Sequence, residues 1–354
     1  MPAEMSSRQR VMTAARLQVP DRVPRTVPLE IGVYEKLKAH LGTAEVARAF
    51  KVDLGWVGPD PSRQAPDYSV YFRRPGVTWD EWGRGRIWDA EMHYAEYLYP
   101  LERAETVDEI LAYPWPDLTE PYRYDGVAER VAAYHAQGLA VCGGLEETVF
   151  EIAWQLRGMD RLFADMISQD EKAAIVLDQI TDRRAVTARA YALAGVDILD
   201  VGDDVGMQDR LLMSRRMWTQ WLRPRLEKVI QAARDVNPDI LVWYHSDGKI
   251  SDLVPDLMAA GVQILNPVQP ECVDHRWIKR TYGSELAFAG GLGVQSVLPF
   301  GSPEQVREHV RETIQTLGEG GGLIVGPSHV MERDTPLENI FAMLKAIDDF
   351  GVYG

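Results

Sequence analysis

The sequence has little cysteine, no long apolar run and no strong basic cluster, and each shortage excludes a class of protein. Only two of its 354 residues are cysteines, Cys142 and Cys272, so a disulfide framework is not expected and both thiols are available for packing or for a metal. No segment approaches the roughly 20 consecutive apolar residues of a membrane span, and the N-terminus lacks the apolar core of a signal peptide. We therefore expect a cytoplasmic protein.

The charge balance argues against nucleic acid as a partner. The chain has 53 acidic and 38 basic residues, a net charge of -15, and these charges are spread along its length. The densest basic cluster, Arg73 to Gly76, is too short to hold a polyanion against such a field. We expect a globular protein that binds neither nucleic acid nor a membrane, and a hydrophobic content of 46% is enough for a substantial core.

Short β-rich segments alternate with stretches of helical period, which is the pattern of β/α units. The helical stretches are 34–49, 159–191, 211–236 with a break expected at Pro224, 249–260, 302–317 and 335–349. The eight apolar segments are 25–31, 52–57, 139–143, 197–201, 240–245, 262–266, 286–290 and 322–326. Eight strands alternating with helices in a chain of this length predict an α/β fold of the (β/α)8 type, the TIM barrel.

An irregular, aromatic-rich segment at about 59–138 interrupts this alternation after the second strand. It contains Tyr71, Trp79, Trp82 and Trp88 among proline and charged residues. These rings could form a satellite core beneath a β-hairpin, or they could line or cover the barrel mouth, because long βα loops lie at the catalytic face. No internal repeat or flexible linker divides the chain, so residues 1–354 are predicted to form a single domain with a long insertion.

Polar side chains follow most of the predicted strands, at the end where a barrel of this type carries its active site. Because all eight strand ends meet at one rim, we expect these side chains to share one site. The candidates, in chain order, are Glu146, Glu147, Glu151, Asp203, Asp204, Gln208, His245, Asp247, Asn266, Gln269, Cys272, Gly290, Gly291, Ser328 and His329.

Imidazole and thiolate together with a carboxylate or an open position form the ligand set expected for zinc, and catalytic zinc commonly has three protein ligands. We predict that His245, Cys272 and His329 bind zinc. Asp247 and Glu151 are candidates for a fourth ligand or for a carboxylate that fixes an imidazole tautomer. Taken alone, His245 could instead be a hydrogen-bonded residue at a strand end, and Cys272 a small buried apolar residue.

The remaining candidates have two further roles. Gln208, Asn266, Gln269 and Gly291 are predicted to contact a cofactor at the same rim. Asp203 and Asp204 are candidates for acid catalysis, although each could equally be a turn or helix-cap residue.

Several motifs, read together, carry a family resemblance. They are P-D-R-V-P (20–24), F-E-I-A-W-Q-L-R-G (150–158), G-D-D-V-G-M-Q (202–208), Y-H-S-D-G (244–248), N-P-V-Q-P-E-C (266–272), F-A-G-G-L-G (288–293) and G-P-S-H (326–329). Over nearly the whole chain they resemble the uroporphyrinogen decarboxylase superfamily. Within it the chain is most similar to the corrinoid-dependent methyltransferases, including the O-demethylase type that takes methyl groups from methoxylated aromatic compounds.

The resemblance implies a (β/α)8 barrel with a zinc ion at its C-terminal face. Better-known methyltransferases of this branch carry H-x-C after the fifth strand and a cysteine after the eighth. Here His245 matches the histidine, Asp247 occupies the first cysteine position and His329 the second, while Cys272 is additional to the pattern. The resemblance also implies a homodimer.

The activity that the resemblance implies is transfer of a methyl group from a small methylated substrate to the cob(I)alamin of a separate corrinoid protein. Zinc would act as a Lewis acid on the heteroatom that carries the methyl group, and Asp203, Asp204 or Glu151 would donate a proton to it. The alternatives are decarboxylation of an acidic substrate and a barrel that binds a ligand without catalysis. The true decarboxylases carry an arginine-containing M-R-Q-A-G-R stretch after the first strand, whereas the corresponding region here reads P-L-E-I-G-V-Y-E.

Overall fold

The computed structural model describes residues 4–43, 45–88 and 95–353, and a curled parallel sheet surrounded by helices dominates it. The strands are β1 (Leu54–Val57), β2 (Thr78–Trp79), β3 (Gly85–Trp88), β4 (Ala95–Leu98), β5 (Ala140–Glu146), β6 (Ile198–Gly202), β7 (Leu241–His245), β8 (Ile264–Asn266), β9 (Ala287–Leu292) and β10 (Leu323–Pro327).

Fifteen α-helices occur in the described ranges, with 3₁₀ helices at Tyr68–Val70 and Ser251–Leu253. The α-helices are α1 (Ser7–Ala15), α2 (Ile31–Leu41), α3 (Val46–Ala49), α4 (Val107–Leu111), α5 (Tyr122–Ala136), α6 (Phe150–Arg157), α7 (Met159–Ser168), α8 (Glu171–Ala194), α9 (Arg215–Trp221), α10 (Arg223–Arg234), α11 (Val254–Ala259), α12 (His275–Tyr282), α13 (Val297–Phe300), α14 (Pro303–Leu317) and α15 (Leu337–Phe350). In the part of the chain that the structure describes, no helix combines the length and the apolar character needed to cross a bilayer.

Seven strands form one parallel sheet in the order β1-β5-β6-β7-β8-β9-β10, and helices follow each of them. Seven of the eight predicted strands are thereby confirmed, as is the α/β barrel type of fold. The register places Gly202 beside His245, and His245 beside Asn266, so the ends of three consecutive strands lie level with one another.

The predicted first strand, 25–31, is wrong as a regular strand. The segment has no assigned strand, and its last residue already begins α2. Arg25 nevertheless makes an isolated parallel bridge with Val325 of β10, and its carbonyl accepts the amide of Asp53, just before β1, at 3.0 Å. Pro28 has no amide N–H, so it cannot continue a ladder of hydrogen bonds. The segment lies between the two edge strands and occupies the eighth position of the barrel with an incomplete ladder.

The interior of the barrel has an apolar lower layer. Residues of α1 close the N-terminal end of the barrel, and burial of an aliphatic side chain there contributes about 1.5–3 kcal/mol. Cys142 belongs to this layer and is fully buried, as expected for a core residue. The lower layer comprises Val11, Ala15, Leu54, Ala140, Cys142, Ile198, Leu241, Trp243, Ile264, Ala287, Ala289 and Ile324.

The insertion after β1 carries a small antiparallel sheet in the order β2-β3-β4; its residues 89–94 lie outside the described ranges. Trp82 is buried beneath this sheet, and the rings of Tyr68 and Tyr113 stack with centroids 5.7 Å apart. Arg157 of α6 ties the insertion to the barrel by donating to the carbonyl of Ala104 at 2.7 Å. These contacts favour the satellite-core interpretation of the aromatic residues.

Candidate functional site

Above the apolar layer, the barrel interior becomes polar. Successive side chains on one face of a strand are two residues apart, so the residues two positions beyond the lower layer point into the same interior. These are Trp56 of β1, Asp200 of β6, His245 of β7 and Asn266 of β8, and on the same face of β5 Glu146 lies four positions beyond Cys142. With the exception of Asp200, they line a cavity of about 1010 Å³, together with Leu29, Tyr34, Trp243, Ser328 and His329.

His245 is held in one orientation by the neighbouring strand. Its Nδ1 lies 2.5 Å from Oδ1 of Asn266, and the Asn266 amide is itself oriented because Nδ2 donates to the carbonyl of Ala289 at 3.3 Å. Since the amide oxygen accepts, Nδ1 carries a proton, and in the neutral ring it is Nε2 that keeps a lone pair. That lone pair is free to bind a cation or to accept a proton.

Two carboxylates approach this free nitrogen. Nε2 of His245 lies 3.9 Å from Oδ1 of Asp204 and 3.8 Å from Oδ1 of Asp247. The amide of Asp247 donates to the Asp204 carboxylate at 2.7 Å, which fixes the two acidic residues relative to each other. One donor atom from each of these three residues lies within 4.8 Å of the others, and among the described residues this is the group that could hold a metal ion.

Two further observations fit a cation at this group. Oδ1 of Asp247 is buried without a hydrogen-bond partner, which is costly unless another ligand satisfies it. The ring of His329 lies nearby, with its centroid 6.4 Å from that of His245, so a second imidazole is within reach of the same centre. Histidine and carboxylate ligands suit zinc and other divalent transition metals.

The charges around His245 shift several pKa values. Burial disfavours the imidazolium, but the carboxylates, Glu146 foremost and then Asp247 and Asp204, outweigh it and raise the pKa of His245 to about 9. Burial, followed by repulsion from Asp204, raises the pKa of Glu151 to about 9. Glu151 therefore keeps its proton at neutral pH, while its Oε2 accepts the amide of Asp204 at 3.0 Å.

A second acidic feature is the pair of Glu146 and Asp200. Glu146 is among the residues predicted at the strand ends, whereas Asp200 was not singled out from the sequence. Asp200 is 1% exposed, and its Oδ2 accepts the indole N–H of Trp56 at 2.9 Å. Burial and the neighbouring Glu146 raise the pKa of Asp200 to about 8. The period of two along β6 is the signal that could have revealed it, because Asp200 shares the interior face with Ile198.

Cys272, one of the three predicted zinc ligands, is not part of the group of Asp204, His245 and Asp247. Its amide bonds to the carbonyl of Gln269 at 3.0 Å within a turn after β8, and its thiol donates to Oε1 of Gln208 at 3.2 Å. Burial raises the pKa of the thiol, so the thiolate that would bind a metal is disfavoured. Gln208 is exposed and contacts this thiol rather than the interior of the barrel.

The carboxylate of Asp203 caps a helix. Its buried carboxylate accepts the amides of Val149 at 3.1 Å and of Glu151 at 3.0 Å, at the N-terminus of α6. This corresponds to the helix-cap alternative, in which a carboxylate satisfies amides that have no partner within the helix. Asp204, in contrast, points towards His245.

Gln269 and Gly291 also make hydrogen bonds with main-chain groups. Oε1 of Gln269 accepts the amide of Gly248 at 3.2 Å, although Gln269 also lines a smaller cavity of about 210 Å³ beside His329. Gly291 donates its amide to the carbonyl of Pro267 at 2.9 Å, and a side chain there would meet α14 rather than the cavity. The predicted contact of Gly291 with a cofactor is therefore not favoured by its position.

Comparison with known proteins gives a family and several relatives. The family model described as uroporphyrinogen decarboxylase (URO-D) matches residues 104–350, well over half of the chain. A methylated-thiol–coenzyme M methyltransferase of Methanosarcina mazei is 28% identical over 200 residues, which cover 56% of this chain and 50% of that protein. The methylcobamide:CoM methyltransferase MtaA of Methanosarcina barkeri is 24% identical over 237 residues, which cover 66% of each chain.

The matches to these curated relatives thus span between half and two thirds of their length. Among solved structures, a methyltransferase from Methanosarcina mazei superimposes with a TM-score of 0.68 and 18% identity, covering 98% of this chain and 99% of that one. At this level of identity the likeness establishes the fold.

Proposed function

The chain belongs to the uroporphyrinogen decarboxylase family, and from this premise we propose that it is a metal-dependent methyltransferase. It moves a methyl group from a small methylated compound to the cob(I)alamin of a corrinoid protein. The observation that carries the proposal is the group of Asp204, His245 and Asp247 beside a large cavity. The names of the relatives, which describe methyl transfer involving a methylated thiol, a methylcobamide and coenzyme M, support it.

Zinc is the metal that we propose for this site. Nε2 of His245 and the carboxylates of Asp204 and Asp247 would hold it, with His329 as a further ligand. A bound zinc ion would supply Lewis-acid chemistry at the heteroatom that carries the methyl group. Asp247 occupies the position of a cysteine in the H-x-C pattern, so this site replaces a thiolate with a carboxylate.

Two other residues of the site have roles beside the metal ligands: Asn266 orients His245, and Glu151 supplies a proton. Asn266 fixes the tautomer of His245, as partners of metal-binding histidines commonly do. Breaking the bond between the methyl carbon and the heteroatom leaves the electron pair on the heteroatom, which then needs a proton. Glu151 is mostly buried and its Oε2 accepts the amide of Asp204 at 3.0 Å, so it lies against the proposed metal group and is our candidate for the proton donor.

The walls of the cavity favour an aromatic methyl ether as the donor. Trp56, Tyr34 and Trp243 line the cavity with Leu29, and aromatic walls of this kind bind rings by stacking and edge contacts. A methoxylated aromatic compound would place its ring against these side chains and its ether oxygen towards His245.

The lining does not favour decarboxylation of a polycarboxylate. Among the described residues that line the cavity, the arginine and lysine are Arg48 and Lys51. Their side chains are 84% and 61% exposed. They pair with Glu45 and Asp348, so they offer little charge to a buried substrate.

The experiment that tests the proposal is a methyl-transfer assay with zinc-loaded protein, free cob(I)alamin and 1,2-dimethoxybenzene, followed by the colour change of the corrinoid. We expect activity that disappears after chelation of the metal and in His245→Ala. The matched control is His40→Ala, which removes an exposed histidine of α2 and should leave the activity intact. Equal activity of His245→Ala and wild type would refute the proposal.

A further inference from the structure

The charges that face the cavity differ in their engagement. The lining cations, Arg48 and Lys51, are exposed and paired with Glu45 and Asp348, whereas Glu146 lines the cavity together with His245. This difference restricts the methyl donor. We propose that the site accepts uncharged or cationic methyl donors and excludes donors that carry a carboxylate or a sulfonate. The inference rests on the proposed function, because it concerns the substrate class of the same site.

The first support is the position of the Glu146–Asp200 pair. Glu146 lines the cavity and is exposed to it, whereas Asp200 is buried directly behind the indole of Trp56, to which it is hydrogen-bonded. Trp56 is 39% exposed and forms part of the cavity wall. A donor that stacks on Trp56 therefore lies next to two carboxyl groups.

The second support is that the nearby arginines are already hydrogen-bonded to other groups of the protein. Arg84 is buried and bound to the Glu147 carboxylate and to Oε1 of Gln155, the latter at 3.1 Å. Nη2 of Arg86 donates to the same Gln155 oxygen at 2.9 Å, and Arg184 donates to the Glu147 carbonyl at 3.1 Å. Among the described residues, none of these three lines the cavity.

The proposed metal centre does not reverse this balance. The carboxylates of Asp204 and Asp247 would offset the charge of a divalent cation, and Glu146 adds a further acidic group. An anion that enters the cavity loses its hydration and meets like charges without a partner, which is costly. A cation would lose less, because it can interact with the carboxylates and with the face of Trp56.

The test is a matched series of ligands on the zinc-loaded full-length protein at pH 7, measured by calorimetry. The series is 3,4-dimethoxybenzylamine, 3,4-dimethoxybenzyl alcohol and 3,4-dimethoxybenzoate, which share a ring and differ in charge. We expect the amine and the alcohol to bind, and the benzoate to bind at least tenfold more weakly, a difference of about 1.4 kcal/mol or more. Glu146→Gln should reduce the discrimination at least threefold, with Glu146→Ala as a second variant if the first does not fold.

The control variant is Glu285→Gln, which removes an exposed carboxylate just before β9, at the opposite end of the barrel, and should leave the discrimination unchanged. Equal binding of the benzoate and the alcohol would overturn the inference while leaving the aromatic-ether function intact. Unchanged discrimination in a folded Glu146→Gln protein would likewise overturn it. If none of the three ligands binds, the proposed aromatic donor is refuted and the inference falls with it.

Discussion

The hydrogen bond between Asn266 and His245 provides a quantitative test of the metal site. Asn266→Ala removes the acceptor that lies 2.5 Å from Nδ1 of His245. The imidazole can then adopt the other tautomer, in which Nε2 carries a proton and cannot bind a metal, and the ring can rotate. Loss of such an orienting partner typically weakens metal binding 10–100-fold, or by about 1.4–2.7 kcal/mol. The zinc dissociation constant, measured by competition with a chromophoric chelator, should rise by this factor.

The control for this prediction is another buried asparagine. Nδ2 of Asn339 donates to the carbonyls of Leu298 and Gly301 at 2.8 Å, far from His245 in the sequence, and the side chain is 1% exposed. Asn339→Ala should therefore destabilise the fold but bind zinc with the affinity of the wild type, with urea unfolding used to compare the two variants. Wild-type zinc affinity in Asn266→Ala, or an equal loss in both variants, would refute the reasoning.

Two further predictions concern pH and packing. Burial lowers the pKa of His309 below 6.5, and its Nε2 accepts the amide of Gly293 at 3.2 Å. Below pH 6.5 the unfolded chain therefore binds more protons at this residue than the folded protein does. The free energy of unfolding should fall by up to about 1.4 kcal/mol per pH unit as the pH is lowered. His309→Gln keeps an acceptor and should flatten this loss between about pH 7 and 5 in urea titrations; parallel curves would contradict the assignment. A Cβ at Gly202 would lie 2.2 Å from the carbonyl oxygen of His245, so Gly202→Ala should cost about 1–3 kcal/mol of stability and weaken zinc binding. Gly58→Ala, which meets no atom within 4 Å, is the control, and equal unfolding midpoints would argue against this packing.

Most of the barrel could be predicted because its strands are buried on both faces. Such strands appear in the sequence as short apolar runs between turns and helices, and seven of them were located in this way. The expected break at Pro224 is also confirmed, since α9 ends at Trp221 and Pro224 lies in the first turn of α10. The segment 25–31 was misassigned because its composition suits a strand, while Pro28 prevents a continuous ladder.

The site was predictable where it depends on strand ends and unpredictable where it depends on loops. His245, Asp247 and Asp204 come together because β6 and β7 are neighbours in the sheet. Cys272 follows β8 by several residues, and its thiol is directed to Gln208 by a turn. That turn is formed by local backbone hydrogen bonds, which the spacing of apolar residues in the sequence does not predict.

The helix that closes the base of the barrel has a consequence for biosynthesis. Val11 of α1 packs against interior residues as late in the chain as Ile324, and the amide of Val23 donates to the carbonyl of Gly351 at 2.8 Å. Helix α1 is therefore synthesised about 300 residues before β10, and its apolar face stays uncovered until β10 has been made. Until then that face is available to chaperones or to other nascent chains, and completion of the barrel depends on contacts between segments that are far apart in the sequence.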